Sequence, residues 1–474
     1  MQPKRTLPSR EPMAPVDHAW LRMESPINLM MIAAIMVFES PISKEALKQT
    51  IEKRLLTYNR FKQRVIHENG KPYWEDDPHF DLDNHLHRIA LPGKADKEEL
   101  QTLTSDLSST PLDFSKPLWQ FHLIDNYQLN NQHKGTALII RIHHCIADGL
   151  ALVRVMLSMT DDTPTQKEPI PQTKPNSPAD NHILPHLLEP ARNLLYATFH
   201  IGQELLKEGQ EVVKHPSHLL DIAKEGLSIG SEITRIGLIP DDSKALLKGE
   251  LSGRKNVAWA DPLELEHVRK TAHALGGTIN DVLLCVASSA IRKYLQETKK
   301  EPNGSIIHVA VPCNLRPLDQ PIKTLGNQFG LVIVALPVGL ETAISRFKAV
   351  KQTMQELKHS YQAQLFFGLL GVLGKGPSVL EQTALELLSK KASAVMTNVP
   401  GPKHPLYLAG SRLLQPMVWV PQSGDVGIGL SILSYSGTIQ FGVVADKQLM
   451  KSPEMIIKHF HQSYQELKQL TTST

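Results

Sequence analysis

The stretch Ile139–Val155, IIRIHHCIADGLALVRV, places two adjacent histidines at the end of an apolar run and follows them with an Asp-Gly pair. Side chains alternate faces along an extended strand, so His144 and Ile142 share one face while His143 and Arg141 share the other. The apolar row that leads to His144 consists of Leu138, Ile140 and Ile142, and the opposite row consists of Ala137, Ile139 and Arg141. The pattern therefore predicts a strand that ends with one histidine on each face.

The position of His144 predicts an uncharged imidazole, because desolvation disfavours the imidazolium. A neutral imidazole in a dry site is what a general base needs. The other interpretation is a structural histidine whose ring is held by ordinary hydrogen bonds and packing. For His143 the sequence does not favour either interpretation over the other. Cys145 points away from His144 if the strand continues, which disfavours a Cys-His nucleophile pair. Two histidines without a third ligand four residues on also make a weak metal site.

Asp148 and Gly149 turn the chain into GLALVRVMLSM, whose apolar residues recur at helical spacing. Asp148 is placed either to cap that helix or to bind a cation. Gly149 is interpreted as the residue that permits a tight turn where a Cβ would obstruct it.

The segments around this motif mix strands and helices. Strands are predicted at residues 30–39, 119–125 and 136–144, and an amphipathic helix at 43–58 with Ser43 as its N-cap. A Pro-rich stretch at 160–182 and a run with helical spacing at 187–236 follow as a linker.

A second mixed segment begins near Val257. It contains two helices joined at Gly276-Gly277 and capped by Thr278 or Asn280, strands at 305–316 and 329–338 that are expected to be buried on both faces, a hairpin turning at 435–437 and a closing helix. We therefore expect an α/β fold with mixed sheets, divided into an N-terminal domain (1–160), a linker (161–256) and a C-terminal domain (257–474).

Composition narrows the function. The chain has 474 residues, 41% apolar content and a net charge of +3, which suits two or three domains and gives no argument for nucleic acid as a partner. Its three cysteines lie far apart without CxxC spacing, so we expect buried thiols in a reducing compartment. The apolar run LMMIAAIMVF is about half of the ~20 residues that a membrane span needs, and we expect a cytoplasmic protein.

Residues 143–149 fit the pattern HHxxxDG, and further matches run along the chain in order. They are APVDHAWLRME at 14–24, Pro117-Leu118-Trp119, Asn280-Asp281, VPCNLRP running on to Gly326-Asn327-Gln328, and TNVPGP at 397–402. With these residues the chain resembles the bacterial wax ester synthase/acyl-CoA:diacylglycerol acyltransferases, within the superfamily of HHxxxDG CoA-dependent acyltransferases.

The resemblance implies two chloramphenicol acetyltransferase-like domains with a tunnel between them and the histidine motif at its middle. It implies that His144 takes a proton from an alcohol, which attacks the thioester of acyl-CoA directly. Acyl-CoA is then a substrate, the acceptor is a long-chain alcohol or a diacylglycerol, and no cofactor or metal is expected.

Supporting residues follow from the same resemblance. Asp148 is expected to hold the motif by pairing with Arg316, and Asn280 with the Thr397-Asn398 turn are candidates to stabilise the oxyanion. Asn280 is equally well interpreted as an N-cap, and Asn398 as a turn-former. Asp281 belongs to the same supporting set as part of the Asn-Asp pair.

The chain departs from the family's pattern at two of its positions. Asn28 stands where the family often has histidine, and Thr397 where serine is commoner. Neither departure removes the base, but Asn28 puts any role of a histidine at that position in doubt.

The acceptors partition into membranes, so we expect peripheral contact with the inner membrane or with lipid inclusions. Apolar residues of the linker either lie on lipid or pack between the domains; they are Leu194, Leu195, Phe199, Leu205 and Leu206. Two competing functions are an HHxxxDG acyltransferase that uses a carrier-bound acyl group and an inactive protein that coats lipid inclusions. The Asn280-Asp281 and 398–402 matches disfavour the first, and the intact motif disfavours the second.

Overall fold

The computed structural model describes residues 10–130, 132–165, 239–315, 325–358, 360–373 and 389–472. Within them the strands are β1 Arg10–Pro12, β2 Met31–Phe38, β3 Gln63–Glu68, β4 Lys71–Asp76, β5 Leu86–Arg88, β6 Trp119–Ile124, β7 Thr136–His143, β8 Lys255–Trp259, β9 Leu263–Glu264, β10 Ile307–Asn314, β11 Phe329–Leu336, β12 Ala394–Pro400, β13 Tyr407–Leu408, β14 Ser411–Trp419, β15 Ile428–Tyr435 and β16 Thr438–Asp446. The helices are α1 Pro15–Arg22, α2 Lys44–Arg54, α3 Lys97–Ser108, α4 Gly149–Ser158, α5 Lys244–Leu247, α6 Leu265–Ala274, α7 Ile279–Glu297, α8 Ala343–Leu357, α9 Gln362–Leu373 and α10 Glu454–Thr472.

A six-stranded sheet carries the histidine pair. Its order is β13-β14-β2-β7-β6-β5, and β7 is buried along its whole length between β2 and β6. The two faces of β7 enter different apolar clusters, with Ile140 and Ile142 in one and Ala137 and Ile139 in the other. The predicted alternation of faces is therefore confirmed along β7, which ends at His143, and His144 is the first residue of the turn that follows.

The second large sheet has the order β11-β10-β12-β15-β16-β8, with β9 also paired to β16, and a small sheet is formed by β1, β4 and β3. The strands predicted at 305–316 and 329–338 are β10 and β11, but the expectation that both faces are buried is wrong for parts of them. Residues 311–314 and Leu331 and Val332 are only half-buried. The physical reason is that β12 pairs with β10 only at Val309 and Ala310, so residues 311–314 extend beyond that neighbour, and β11 is the edge strand of the sheet.

Sheet membership does not follow chain order. Strands β13 and β14, from the last quarter of the chain, complete the sheet that contains β7, and β14 pairs antiparallel with β2. Strand β8 joins the second sheet through β16. The division into residues 1–160, 161–256 and 257–474 remains a prediction, and the predicted linker helices at 187–236 lie outside the described residues.

The local signals in the sequence are confirmed where the structure describes them. Ser43 caps α2 by accepting a hydrogen bond from the Ala46 amide. Thr278, and not Asn280, caps α7, and it forms a capping box with Asp281. Ser436 and Gly437 both have positive φ, as the tight hairpin between β15 and β16 requires.

Among the described residues, no single helix is long and apolar enough to cross a bilayer. One bent pair, α6 with α7, passes the length and composition test only when the two helices are taken together, and they meet at 94°.

The buried His122 on β6 predicts a stability that falls in acid. Both of its ring nitrogens lack a hydrogen-bond partner within the described chain, and burial, with Arg141 as a smaller cause, lowers its pKa to about 3. Below the unfolded pKa of 6.5 the unfolded chain binds a proton that the folded chain refuses, so stability present above pH 6.5 is lost as the pH falls toward 3. His122→Phe should remove this loss, which amounts to about 2 kcal/mol of unfolding free energy at pH 5.

The measurement is chemical unfolding of both proteins from pH 8 to pH 5. The exposed His79, changed to Phe, is the matched control and should leave the pH slope unaltered. Parallel curves for His122→Phe and the unsubstituted protein would contradict the assignment.

Candidate active site

His144 follows directly after β7, and its ring packs against two aromatic side chains. Its ring stacks on Trp20 of α1 with centroids 4.1 Å apart, and Phe329 of β11 lies at 5.4 Å. The His144 amide donates to the carbonyl of Met30 (2.7 Å), and its carbonyl accepts from Asn327 Nδ2 (2.8 Å). The side chain is 3% exposed. Backbone and ring are therefore both fixed by groups from distant parts of the chain.

The charge state of His144 follows from this burial. Desolvation lowers the pKa of His144 to about 4, against smaller opposing effects from Asp148, from its own carbonyl and from the Asn327 side chain. The imidazole is thus uncharged near neutral pH, as the sequence predicts. Its Nδ1 is fully enclosed, so Nε2 is the nitrogen left for a substrate.

His143 is equally buried but lies on the opposite face of the strand. Its Nδ1 accepts a hydrogen bond from the Cys145 amide (3.1 Å), and its Nε2 lies 3.5 Å from Glu24 Oε2. Glu24 also accepts a hydrogen bond from the Met30 amide, and the Phe114 ring packs edge-on against the His143 imidazole. These contacts suit a histidine that supports the geometry of the turn.

Asp148 joins two backbone segments through its carboxylate. One carboxylate oxygen accepts from the Ala151 amide (2.8 Å) and caps α4, and the other accepts from the Gln328 amide (2.9 Å). Of the two roles that the sequence left open, the cap is confirmed. The predicted partner Arg316 lies outside the described residues, so that pairing remains a prediction.

The segment Gly326-Asn327-Gln328 crosses to the histidine motif from the other half of the chain. Asn327 donates from its amide and its Nδ2 to Asp17 Oδ1 of α1, at 2.9 and 2.8 Å. Gly326 has φ +134°, and a Cβ there would lie 3.3 Å from Asp17 Oδ2. Burial raises the pKa of Asp17 to about 6, and the hydrogen bonds from Asn327 oppose that rise. Asp17 and Asn327 therefore anchor the turn that carries His144.

The interpretation of Gly149 as a turn that excludes a Cβ is wrong. Gly149 is the first residue of α4, its φ is not positive, and a Cβ built on it meets no atom within 4 Å. The open space beside it belongs to an apolar pocket, which Gly149 lines.

The predicted oxyanion candidates belong to the second sheet and its helices. Asn398 donates from Nδ2 to Asn280 Oδ1 (2.9 Å), which brings α7 and β12 together. Thr397 and Asn398 lie within β12 and pair with β15, so the predicted turn at these residues is wrong. Asp281 is buried and serves the capping box of α7. No described hydrogen bond joins these four side chains to His144.

An apolar pocket lies along the face of the sheet that leads to His144, with about 820 Å³ of empty space of which part is open to solvent. One wall is α4 from Gly149 to Leu157, with Thr160 just beyond the helix, and the opposite wall is the β2–β7 face that includes Ile140 and Ile142. It is closed by residues of β14 and by the segments 401–406 and 433–435. His144 does not itself line the pocket, which reaches Ile142, two residues before the base.

The remaining candidates have structural roles. Trp119 is fully buried, donates to the Phe61 carbonyl (2.8 Å) and packs in the core, as expected for the Pro117-Leu118-Trp119 segment. Burial raises the pKa of Cys145 well above its usual value, which argues against a thiolate nucleophile. In the described part of the chain, no group of three or more His, Cys, Asp or Glu side chains has a metal-binding arrangement.

Family models match most of the chain. The wax ester synthase/diacylglycerol acyltransferase catalytic domain matches residues 13–283, and the C-terminal domain of the same family matches residues 325–468. The chain belongs to this family. It is therefore an acyltransferase, and the predicted family and fold class are confirmed.

Named relatives are similar to this chain over most of their lengths. A Mycobacterium tuberculosis protein named a probable diacylglycerol O-acyltransferase is 27% identical over 423 residues, covering 88% of this chain and 86% of its own. The O-acyltransferase WSD of Acinetobacter baylyi is 24% identical over 473 residues, covering 96% of each.

Solved structures share the fold. The wax ester synthase/diacylglycerol acyltransferase from Marinobacter aquaeolei VT8 superposes with a TM-score of 0.68 at 21% identity, over 98% of this chain and 100% of that one. The first condensation domain of the calcium-dependent antibiotic synthetase superposes at 0.57 with 13% identity, covering 98% and 96%.

Three residues of the site went unassigned in the sequence analysis, although the segments that carry them were matched to the family. They are Asp17, Glu24 and Asn327: Glu24 and Asn327 contact the histidine motif, and Asp17 holds Asn327. Their spacing in the chain reveals nothing about the contact, because Asp17 and Asn327 are 310 residues apart. The one signal in the sequence that could have identified these three residues is that each lies in a segment that matches the family.

Gly149→Ala should leave the protein as stable as before, or more stable by about 0.4–1 kcal/mol, because alanine fits an ordinary helical residue and restricts the unfolded chain. Gly368→Ala, in α9 with equally open space, is the matched control. Gly277→Ala should destabilise, since its Cβ would lie 2.5 Å from Phe347 Cζ. The measurement is urea unfolding, and a loss of more than about 1 kcal/mol at Gly149 would restore the turn interpretation.

Proposed function

We propose that this acyltransferase moves a fatty acyl group from acyl-CoA to the hydroxyl of a long-chain alcohol or a diacylglycerol, with His144 as general base. The observation that carries the proposal is the enclosed, uncharged imidazole of His144 beside a long apolar pocket. The names of the relatives, which include diacylglycerol O-acyltransferases, support this substrate class.

The chemistry needs one base and no covalent enzyme intermediate. His144 Nε2 takes the proton of the hydroxyl while its oxygen forms a bond to the thioester carbonyl carbon. The C–S bond then breaks, and the imidazolium returns the proton to the sulfur of CoA. A low pKa makes His144 a weak base but leaves it fully unprotonated at neutral pH, and the imidazolium gives up its proton readily to the thiolate.

The pocket has the length and the apolar lining to hold a hydrocarbon chain. Along α4 it is lined from Gly149 to Leu157, which corresponds to ~12 Å of helix at 1.5 Å per residue. Its lining is almost entirely aliphatic, with Ser434, Tyr435 and Thr160 as the polar residues. A chain lying in this pocket would bring its polar end toward Gly149 and Ile142, next to the base.

The cellular location that we propose follows from the hydrophobicity of the acceptors. We propose a cytoplasmic enzyme that meets its acceptor at the surface of a membrane or a lipid inclusion, because long-chain alcohols and diacylglycerols partition into lipid. The linker leucines and Phe199 named for this contact lie outside the described residues.

His144→Ala should abolish ester formation from acyl-CoA with either acceptor, because no other described group is placed to remove the proton. The assay is product formation from labelled acyl-CoA, run with a fatty alcohol and a diacylglycerol in competition, and the fold is checked by circular dichroism. Exposed His79→Ala is the control and should retain activity. Turnover by His144→Ala within a few fold of the unsubstituted enzyme would reject the base assignment, and activity with a carrier-bound thioester alone would reject the donor.

Met156→Trp should narrow the pocket and shorten the chain that it accepts. We expect kcat/KM for long chains to fall about tenfold or more, while short-chain substrates are nearly unaffected, since the lost contacts are apolar and graded by chain length. Met455→Trp in α10, outside the pocket, is the matched control. Acyl and alcohol chain lengths are varied separately, and an unchanged profile in both series would show that neither chain uses this pocket.

A further inference from the structure

The apolar pocket reaches a short hairpin at the edge of the first sheet. Strands β13 and β14 form this hairpin, and both residues of the turn between them, Ala409 and Gly410, have positive φ. Leu406 and Leu413, which lie at the base of the hairpin, line the pocket and are buried. On the side of α4, by contrast, the lining residue Met156 is half-buried. The hairpin therefore forms the more enclosed end of the pocket.

Strand register places this hairpin at the end of the pocket that is farthest from the base. Ile142, two residues before His144, pairs with Ile32 of β2, whereas Leu413 of β14 pairs with Phe38 at the other end of β2. The strand from Ile32 to Phe38 spans about 20 Å at 3.4 Å per residue. A hydrocarbon chain whose reacting end lies beside His144 would therefore reach the hairpin with its terminal carbons.

One hydroxyl group holds the base of the hairpin together. Tyr435, the last residue of β15 in the second sheet, accepts a hydrogen bond from the Leu406 amide (2.8 Å) and donates one to the Leu413 carbonyl (3.0 Å). The Leu413 amide donates in turn to the Leu406 carbonyl (2.8 Å). Burial raises the pKa of Tyr435, so its hydroxyl keeps the proton that it donates. The hydroxyl thus fixes the backbone that carries both leucines in the pocket wall.

The hairpin is also bonded to the segment that follows α4. Asp161 and Tyr407 exchange two backbone hydrogen bonds, each of 2.8 Å. The Asp161 carboxylate forms a largely buried ion pair with Arg54 of α2 (2.9 Å), and Arg54 also donates to the Thr160 carbonyl (3.2 Å). Thr160 lines the pocket beside the hairpin. Bonds to β15 and to the segment after α4 therefore both hold this end of the pocket in place.

We propose that the hairpin at residues 406–413 is the stop that limits the length of the hydrocarbon chain in the pocket, and that the Tyr435 hydroxyl holds the stop in position. The inference rests on the proposed function, in which the pocket takes the chain of the acyl group or of the acceptor. Once a chain contacts Leu406 and Leu413, a further methylene must displace packed groups instead of gaining contacts. We therefore expect kcat/KM to fall sharply beyond one chain length.

The first test cuts back the stop. Leu413→Ala removes apolar volume at the end of the pocket, so kcat/KM for chains about two to four carbons beyond the cut-off should rise about tenfold or more, while shorter chains stay within about twofold. The milder Leu413→Val keeps most of the packing and should move the cut-off in the same direction. Leu467→Ala in α10, equally buried and outside the pocket, is the matched control and should not move it.

Acyl-CoA and alcohol chain lengths are varied in separate series, so the series in which the cut-off moves identifies the chain that occupies the pocket. A cut-off that stays at the same length in both series, in Leu413→Ala and in Leu413→Val, would overturn the proposal.

The second test removes the hydroxyl alone. Tyr435→Phe keeps the ring and deletes both hydrogen bonds to the hairpin, so we expect kcat/KM for the first excluded chain lengths to rise about three- to tenfold. Tyr464→Phe in α10 is the matched control for loss of a buried tyrosine hydroxyl. If Tyr435→Phe lowers the stability to urea but keeps the chain-length profile of the unsubstituted enzyme, the hydroxyl is purely structural and its assigned role is rejected.

Failure of the stop and failure of the proposed function give different results. If Met156→Trp shortens the accepted chain while the Leu413 and Tyr435 variants leave the cut-off unchanged, the pocket holds a chain that the hairpin does not limit. If Met156→Trp also leaves both series unchanged, no substrate chain uses the pocket, and the stop is rejected together with that part of the proposed function.

Discussion

The removal of one imidazole from water is the constraint on which the rest of the site depends. His144 is enclosed by Trp20 and Phe329, and this burial holds its pKa near 4. Buried backbone polar groups are costly when unpaired, and the His144 amide and carbonyl are both bonded, to Met30 and to Asn327. The fold has to bring three distant segments to one turn in order to do this.

The sheets show how those segments are brought together. Strand β14 leaves the C-terminal half and completes the sheet of β2 and β7, while the segment Gly326-Asn327-Gln328 crosses to Asp17 and Asp148. The turn after β7 is therefore held from both halves of the chain. Asp148 caps α4 and also accepts from Gln328, so one carboxylate joins the histidine motif to the segment from the other half.

The two faces of β7 have different surroundings and serve different roles. The face that leads to His144 borders the apolar pocket, whereas His143 and Arg141 lie opposite, with Glu24 and Phe114 beside His143. This division requires only the alternation of side chains along β7. It explains why two adjacent histidines have different surroundings, one in an aromatic wall and one bonded to its own turn.

Local signals predicted much of the fold. The strand ending in the histidine pair, the Ser43 and Thr278 caps and the hairpin at Ser436-Gly437 each follow from a few neighbouring residues. The errors concerned surroundings that lie far away in the chain. Thr397-Asn398 resembles a turn, but it pairs with β15, and β10 and β11 resemble strands buried on both faces, but β10 extends beyond its pairing with β12 and β11 is an edge.

The sequence by itself determined the motif, the family resemblance and the faces of β7, because periodicity and spacing are properties of neighbouring residues. Only the tertiary structure decided that Gly149 opens onto a pocket, that Asp148 clamps Gln328 and that Asp17 and Asn327 meet behind His144. These are contacts across as many as 310 residues. Their hydrogen bonds depend on how the sheets pack, which no local pattern encodes.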